Sequence, residues 1–273
     1  MALEPLRESA QKRFLNAGIS EQNMVSVAAG LARTGFQPWA YSIAPFMYAR
    51  PLEQIRNDVC LHDLPVRLVG NGGGYAYGVM GATHHALEDY GILLTLPHLR
   101  VYVPAFAADL SPIVDRILVS PHPAYLRLGR DEKPADFRVP SYAPWRQLIQ
   151  GNGPTLVVVG PLAGGYLSAI TKLDHTKRPK LWVLSELPIR AEEIPAEFFA
   201  DLRASGRLIL AEEHVAHGGA GEALAALLLA RGEAPKRFTH LSALGYPSGL
   251  YGSQGFHRKE SGLSLEDLLR ELE

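Results

Sequence analysis

Cysteine is almost missing from this chain. Cys60 is the only one in 273 residues, which excludes an intrachain disulfide and any cysteine-based metal cluster. There is no signal-peptide pattern and no apolar run long enough to span a bilayer, so a cytoplasmic protein with no membrane contact is expected. Charge of one sign is lacking as well. The 27 Lys and Arg against 28 Asp and Glu leave a net charge of −1, with the signs interleaved. That excludes a basic groove for nucleic acid and a cationic face for a lipid surface. Internal repeats and low-complexity tracts are absent too.

What is present is enough apolar residue for a packed core, 47% of the chain, in a length that fits two domains better than one. Strand-like and helix-like segments alternate, which predicts an α/β protein of two tandem domains with mainly parallel sheets flanked by helices. Strands are expected at Phe14 and Leu15 and over residues 37–43, 66–70, 101–103, 124–128, 155–159, 181–184, 208–211 and 238–241. Helices are expected from Ser20, a good N-cap, and over 52–61, 110–119, 162–173, 196–204, 222–231 and 264–272. A glycine-rich loop spans 71–85. Between 130 and 154, four prolines punctuate a mostly polar stretch, read as a surface linker. The expected organisation is a first domain over 1–132, a linker over 133–153 and a second domain over 154–273.

The segment Arg13-Phe-Leu-Asn-Ala-Gly-Ile-Ser-Glu-Gln-Asn-Met24 sets one carboxylate, Glu21, at the mouth of a helix just after a short expected strand. Met24, Val27, Ala28 and Leu31 recur at helical spacing and would face inward. Ligands of open α/β sheets bind outside the carboxyl ends of the strands, where this glutamate falls. An acidic residue in a first helical turn is also explained by the helix dipole alone.

Five segments in order resemble the transketolase group of thiamine-diphosphate enzymes. They are Gly-Ile-Ser-Glu-Gln-Asn-Met around Glu21; Ile43 to Asp58, ending Glu-Gln-Ile-Arg-Asn-Asp; Gly78-Val-Met-Gly-Ala-Thr-His-His-Ala-Leu-Glu-Asp89; Pro123-Ala-Tyr-Leu-Arg-Leu-Gly-Arg130; and Glu212-Glu-His-Val-Ala-His-Gly-Gly-Ala-Gly221. The resemblance spans nearly the whole chain and implies a pyrimidine-binding domain followed by a transketolase C-terminal domain. It implies that Glu21 pairs with the aminopyrimidine N1′ and favours the imino tautomer of the cofactor, acid-base catalysis passed through a ring. Phe46 would stack on the pyrimidine, with Ile43 where the family often has a second aromatic residue. His84 would line the substrate channel, shuttling protons or holding an oxyanion. Arg130 would clamp an anionic substrate end. His85 stands where the family usually has glutamine. For His214 and His217 with their glycines, a tight helix entry is the simpler reading than a metal or nucleotide site.

Two departures shape the expectation. Gly72 replaces a histidine, and Val79 and Met80 replace a Glu-Asp pair, so side chains that read donor hydroxyls are missing. A less hydroxylated or differently configured substrate is expected, with Tyr75 and Tyr77 as candidate replacement hydroxyls. No Gly-Asp-Gly followed by asparagine occurs, the segment that holds Mg²⁺ and the diphosphate in the family, and the first strand and helix of the pyrimidine-binding domain have no match. The resemblance therefore implies a split enzyme. An N-terminal-half subunit would supply the diphosphate domain and Mg²⁺, in an α₂β₂ heterotetramer with sites at subunit interfaces. The implied reaction is transfer of a two-carbon ketol unit to an aldehyde from a ketose or 2-oxo donor. The alternatives are a decarboxylating carboligase or an oxo-acid dehydrogenase β-type chain acting on a 2-oxo acid, and a scaffold without catalysis.

Overall fold

A computed structural model describes residues 3–273. Two five-stranded sheets form it. The first uses β1 (Trp39–Ile43), β2 (Arg67–Asn71), β3 (Arg100–Tyr102) and β4 (Ala124–Leu128). The second uses β5 (Trp145–Ile149), β6 (Thr155–Val159), β7 (Lys180–Leu184), β9 (Arg207–Val215) and β10 (Arg237–Ala243), while the two-residue β8 (Glu186–Leu187) returns to the edge of the first. The orders are β1-β2-β4-β3-β8 and β10-β9-β6-β7-β5. Among the described strands, β8 and β5 alone run antiparallel to their neighbours. The expected class, two mainly parallel sheets with flanking helices, is what the chain forms.

The apolar pattern explains the layers. β6 reads Thr-Leu-Val-Val-Val and is buried along its whole length, as a central parallel strand covered on both faces must be. β2 is similar, with only Asn71 partly open at its end. The helix Glu21–Arg33 packs inward through Val25, Ala28, Ala29 and Ala32, not through the expected Val27, which is 45% exposed. Three of those four are alanines, so the helix approaches Ile55–Cys60 closely, and Ser26 Oγ donates to Asp58 Oδ2 at 2.6 Å.

Three local expectations need correction. Phe14 and Leu15 form no strand; Leu15 is 65% exposed and has no partner strand to pair with, because the sheet begins at β1. Ser20 precedes its helix without capping it, since its hydroxyl donates back to the Ala17 carbonyl at 2.5 Å. The stretch read as a linker contains β5, where Trp145 and Arg146 are buried and Arg146 pairs with Asp109 at 2.6 Å.

The two halves are joined firmly. Besides the β3–β8 pairing, Val103 N–H donates to the Ser185 carbonyl at 2.8 Å and Val215 N–H to the Leu87 carbonyl at 2.9 Å. Residues from both sheets, such as Leu68, Tyr125, Val157 and Leu184, belong to one continuous apolar core. No helix among the described residues is long and apolar enough to cross a membrane.

Candidate active site

The carboxyl ends of β1 and β2 open towards the N-terminus of the helix Glu21–Arg33. Glu21 is its first residue, and its side chain is only 12% exposed. β1 ends at Ile43 and turns into the short helix Ala44–Tyr48, which presents Phe46 on the same side. Arg50 follows. Its Nη1 lies 3.0 and 3.1 Å from the two Glu21 carboxylate oxygens, and its guanidinium carbon sits 3.8 Å above the centre of the Phe46 ring. A flat, hydrogen-bonding cation thus rests on an aromatic face while satisfying a carboxylate.

His84 joins this group. It ends the single turn Ala82–His84, and its ring meets Phe46 edge-on with centroids 5.3 Å apart. Its Nδ1 is 2.9 Å from Thr83 Oγ1, and Tyr77 lies tilted against its other side at 6.2 Å. Tyr77 then leads into an open cavity of about 250 Å³ lined by Asn71, Gly72, Ala76, Tyr77, Gly129 and Arg130. Asn71 Nδ2 donates to the Tyr77 hydroxyl at 2.9 Å, fixing that ring across the cavity. Gly72 has φ +78°, and a β-carbon there would run into the Tyr77 ring, so glycine is required twice over. Arg130 is exposed, and among the described residues it has no ion-pair partner. Asp131 instead accepts from the Ala107 amide, and Glu132 pairs with Arg258 at 2.7 Å.

Glu21, Phe46 and His84 therefore meet, and Gly72 and Arg130 share a cavity that Tyr77 connects to them. Ile43 stands at the junction, in register with Asn71 on β2. Met80 is 51% exposed, on the turn Gly78–Met80 within the loop. One expectation fails here. Tyr75 is fully buried, its hydroxyl donating to the Gly245 carbonyl at 2.7 Å, so it cannot offer a hydroxyl to a substrate. His85 is turned into the interior, its Nε2 2.9 Å from the Gly78 carbonyl and its ring stacked on Tyr246. Burial holds its imidazole below the usual value, against the pull of that carbonyl.

Behind the site lies a charged network that local sequence patterns do not signal. Arg127 of β4 is buried and pairs with Asp89 at 2.7 Å, while its Nη2 donates to the carbonyls of Ala86 and Glu213. Burial opposes the Arg127 charge, but Asp89 outweighs it and keeps the guanidinium protonated. Glu212 of β9 accepts from Tyr90, from His240 Nε2 at 2.6 Å, and from the amides of Ala220 and Gly221 at 2.8 and 2.9 Å. Burial alone would raise its pKa; these donors win and hold it below the ordinary carboxylate value. The glycine-rich entry to the helix Ala220–Ala230 thus folds around a buried carboxylate. His214 stacks on Tyr90 at 3.8 Å, and its Nε2 accepts from the Gly91 amide, so Nδ1 donates to the Val215 carbonyl. His217 is fully exposed beside Glu222. Among the described residues neither histidine joins a group of three possible metal ligands.

Residues 3–134 match the family model described as the transketolase pyrimidine-binding domain. A subunit of the apulose-4-phosphate transketolase from Phocaeicola vulgatus is 30% identical over 215 residues, covering 77% of this chain and 68% of that one. The 1-deoxy-D-xylulose-5-phosphate synthase of Myxococcus xanthus is 32% identical over 280 residues, which cover 98% of this chain but 46% of the synthase. A solved structure described as a split-gene transketolase, an inactive β4 tetramer, superimposes with a TM-score of 0.80 at 29% identity, covering 99% of this chain and 86% of the other. The chain belongs to the transketolase family, in the split form where one subunit joins the pyrimidine-binding domain to the C-terminal domain.

Proposed function

We propose that this chain is the pyrimidine-activating half of a two-subunit ketol transferase, with Glu21 as its acid-base residue. The observation that carries the reading is the Glu21–Arg50–Phe46 stack. An aminopyrimidine is also flat, polar at its edge and matched to an aromatic face, so the seat that Arg50 fills in the lone chain suits that ring. The family implies thiamine diphosphate, which when bound supplies the carbon nucleophile that carries a two-carbon unit.

This chain's part is then specific. Glu21 holds a proton at its carboxyl oxygen next to the ring edge, in a pocket where its exposure is low. Phe46 supports the ring face. For both to act, Arg50 must swing off Glu21, because a carboxylate neutralised by a guanidinium is a poor proton partner. Its exposed position after the helix Ala44–Tyr48 allows that movement. His84, beside Phe46, moves a proton at the substrate, and Arg130 binds an anionic end such as a phosphate across the cavity.

No Gly-Asp-Gly segment is present to hold a diphosphate, so a partner subunit supplies that domain together with Mg²⁺, in an α₂β₂ assembly. Two relatives support the need for a partner: the Phocaeicola protein is named as one subunit of its enzyme, and the β4 tetramer formed by a chain of this shape is described as inactive. The donor we propose is a phosphorylated ketose of the kind named for the Phocaeicola relative. The hydroxyl-reading side chains replaced by Gly72 and Met80 argue against the common linear ketoses. A 2-oxo acid donor is the second reading, favoured by the similarity to the Myxococcus synthase. The reconstituted pair, supplied with thiamine diphosphate, Mg²⁺ and an aldehyde acceptor, should transfer ketol units from a ketose phosphate and release no carbon dioxide from pyruvate. Carbon dioxide release would assign the second reading, and no turnover with either donor would contradict both.

A further inference from the structure

A cluster of metal-ligating side chains lies far from Glu21. Asp63, His98 and His122 sit in the loops just before β2, β3 and β4. Parallel strands put all their starts along one edge, and the order β2-β4-β3 makes these loops neighbours. The cluster is therefore at the opposite end of the first sheet from the cofactor seat.

The three side chains converge. His122 Nδ1 lies 2.9 and 3.0 Å from the two Asp63 oxygens, and His98 Nδ1 lies 3.7 Å from Asp63 Oδ2. The two imidazole rings are nearly parallel, at 10°, with centroids 6.0 Å apart. One ligand atom from each residue falls within 4.8 Å of the others. Asp63 and His98 have φ of +51° and +67°, and they are two of three non-glycine residues in the left-handed region among those described. Aspartate and histidine adopt such backbone more readily than most residues, and here it aims two side chains at a common point. The third is anchored from below: buried Arg67 donates to the carbonyls of Ser120 and His122 and fixes the turn that carries the His122 ring. The cluster is 34–46% exposed, so an ion can enter from solvent and keep a water ligand.

We propose that Asp63, His98 and His122 form a site for one divalent ion of the zinc type, clipping three loops at the base of the first sheet. Two imidazoles and one carboxylate, with an open fourth position, suit Zn²⁺; Mg²⁺ prefers oxygen ligands throughout. This site is separate from the Mg²⁺ that the partner subunit would hold, and it does not depend on the proposed activity.

Zinc titration of the full chain by calorimetry tests the proposal, with Co²⁺ absorption as a report of coordination geometry. One equivalent of Zn²⁺ should bind, and Mg²⁺ should not compete. His98→Gln and His122→Gln should each weaken binding by more than the roughly 10–100-fold of an outer-sphere change, and each should remove the Co²⁺ spectrum of a nitrogen-ligated ion. His62→Gln, at an exposed histidine next to Asp63, should leave binding unchanged. Zinc should also raise the melting temperature of the parent chain and not that of the His122 variant. Equal binding by the parent and both cluster variants, loss in the His62 variant alone, or no Zn²⁺ binding would overturn the assignment.

Discussion

Glu21 is an ordinary first-turn acid by composition and an unusual one by its surroundings. Its carboxylate is nearly buried, faces an aromatic ring across a guanidinium, and stands at the carboxyl end of a parallel sheet. Helix-dipole stabilisation alone needs none of those features. Glu21→Gln keeps the shape of the side chain and removes its acid-base function. In the assembled enzyme it should lower kcat by about 10²–10⁴-fold, the range of general acid-base catalysis, while sedimentation shows unchanged assembly. Near-parental kcat in that variant would remove Glu21 from the mechanism. His84 and Arg130 are legible as candidate site residues because their neighbours in sequence form a pattern. Arg50 is not, since an arginine four residues after Phe46 has no meaning until the helix Ala44–Tyr48 turns both side chains towards Glu21. Tyr75 misleads for the converse reason: it sits inside the patterned loop but points into the core.

At the level of elements, the central strands are readable because burial on both faces writes a continuous apolar run, as in β6 and β2. The edge strands are not. β8 has two residues and exists only because β3 leaves an edge to be paired, and β5 sits in a proline-punctuated stretch whose polarity suggests a loop. The buried network is equally silent in sequence, since Arg127 and Asp89 lie 38 positions apart. Glu212 illustrates its energetic weight. This carboxylate serves the start of the helix Ala220–Ala230 and accepts from Tyr90 and His240 at once. Its folded pKa lies below its ordinary value of 4.5, so the unfolded chain takes up the proton first as pH falls. The stabilisation is thus complete above about pH 4.5 and is lost as pH drops through the lower, folded value. Glu212→Gln would set an amide donor against four donors. It should cost about 3 kcal/mol in urea unfolding at pH 7, with the difference from the parent shrinking below pH 4.5. A constant difference across that range would show that the charge of Glu212 contributes nothing.

For the whole molecule, the two sheets act as one support. The second half closes the first sheet with β8, and Arg127 reaches across to the Glu213 carbonyl, so the floor beneath the glycine-rich loop 71–85 is shared. On the proposed reading the chain nevertheless presents only one wall of a cofactor site. Glu21, Phe46, His84 and Arg130 face outward from it, and the diphosphate-holding motif of the family is missing from its sequence. The most direct measurement is calorimetric titration of thiamine diphosphate with Mg²⁺ into this chain alone, and then into its mixture with the candidate partner subunit. Binding in the mixture only is the predicted result. Tight binding by the chain alone would contradict the division of the site between two subunits, and so would absence of binding in a mixture shown by sedimentation to have assembled.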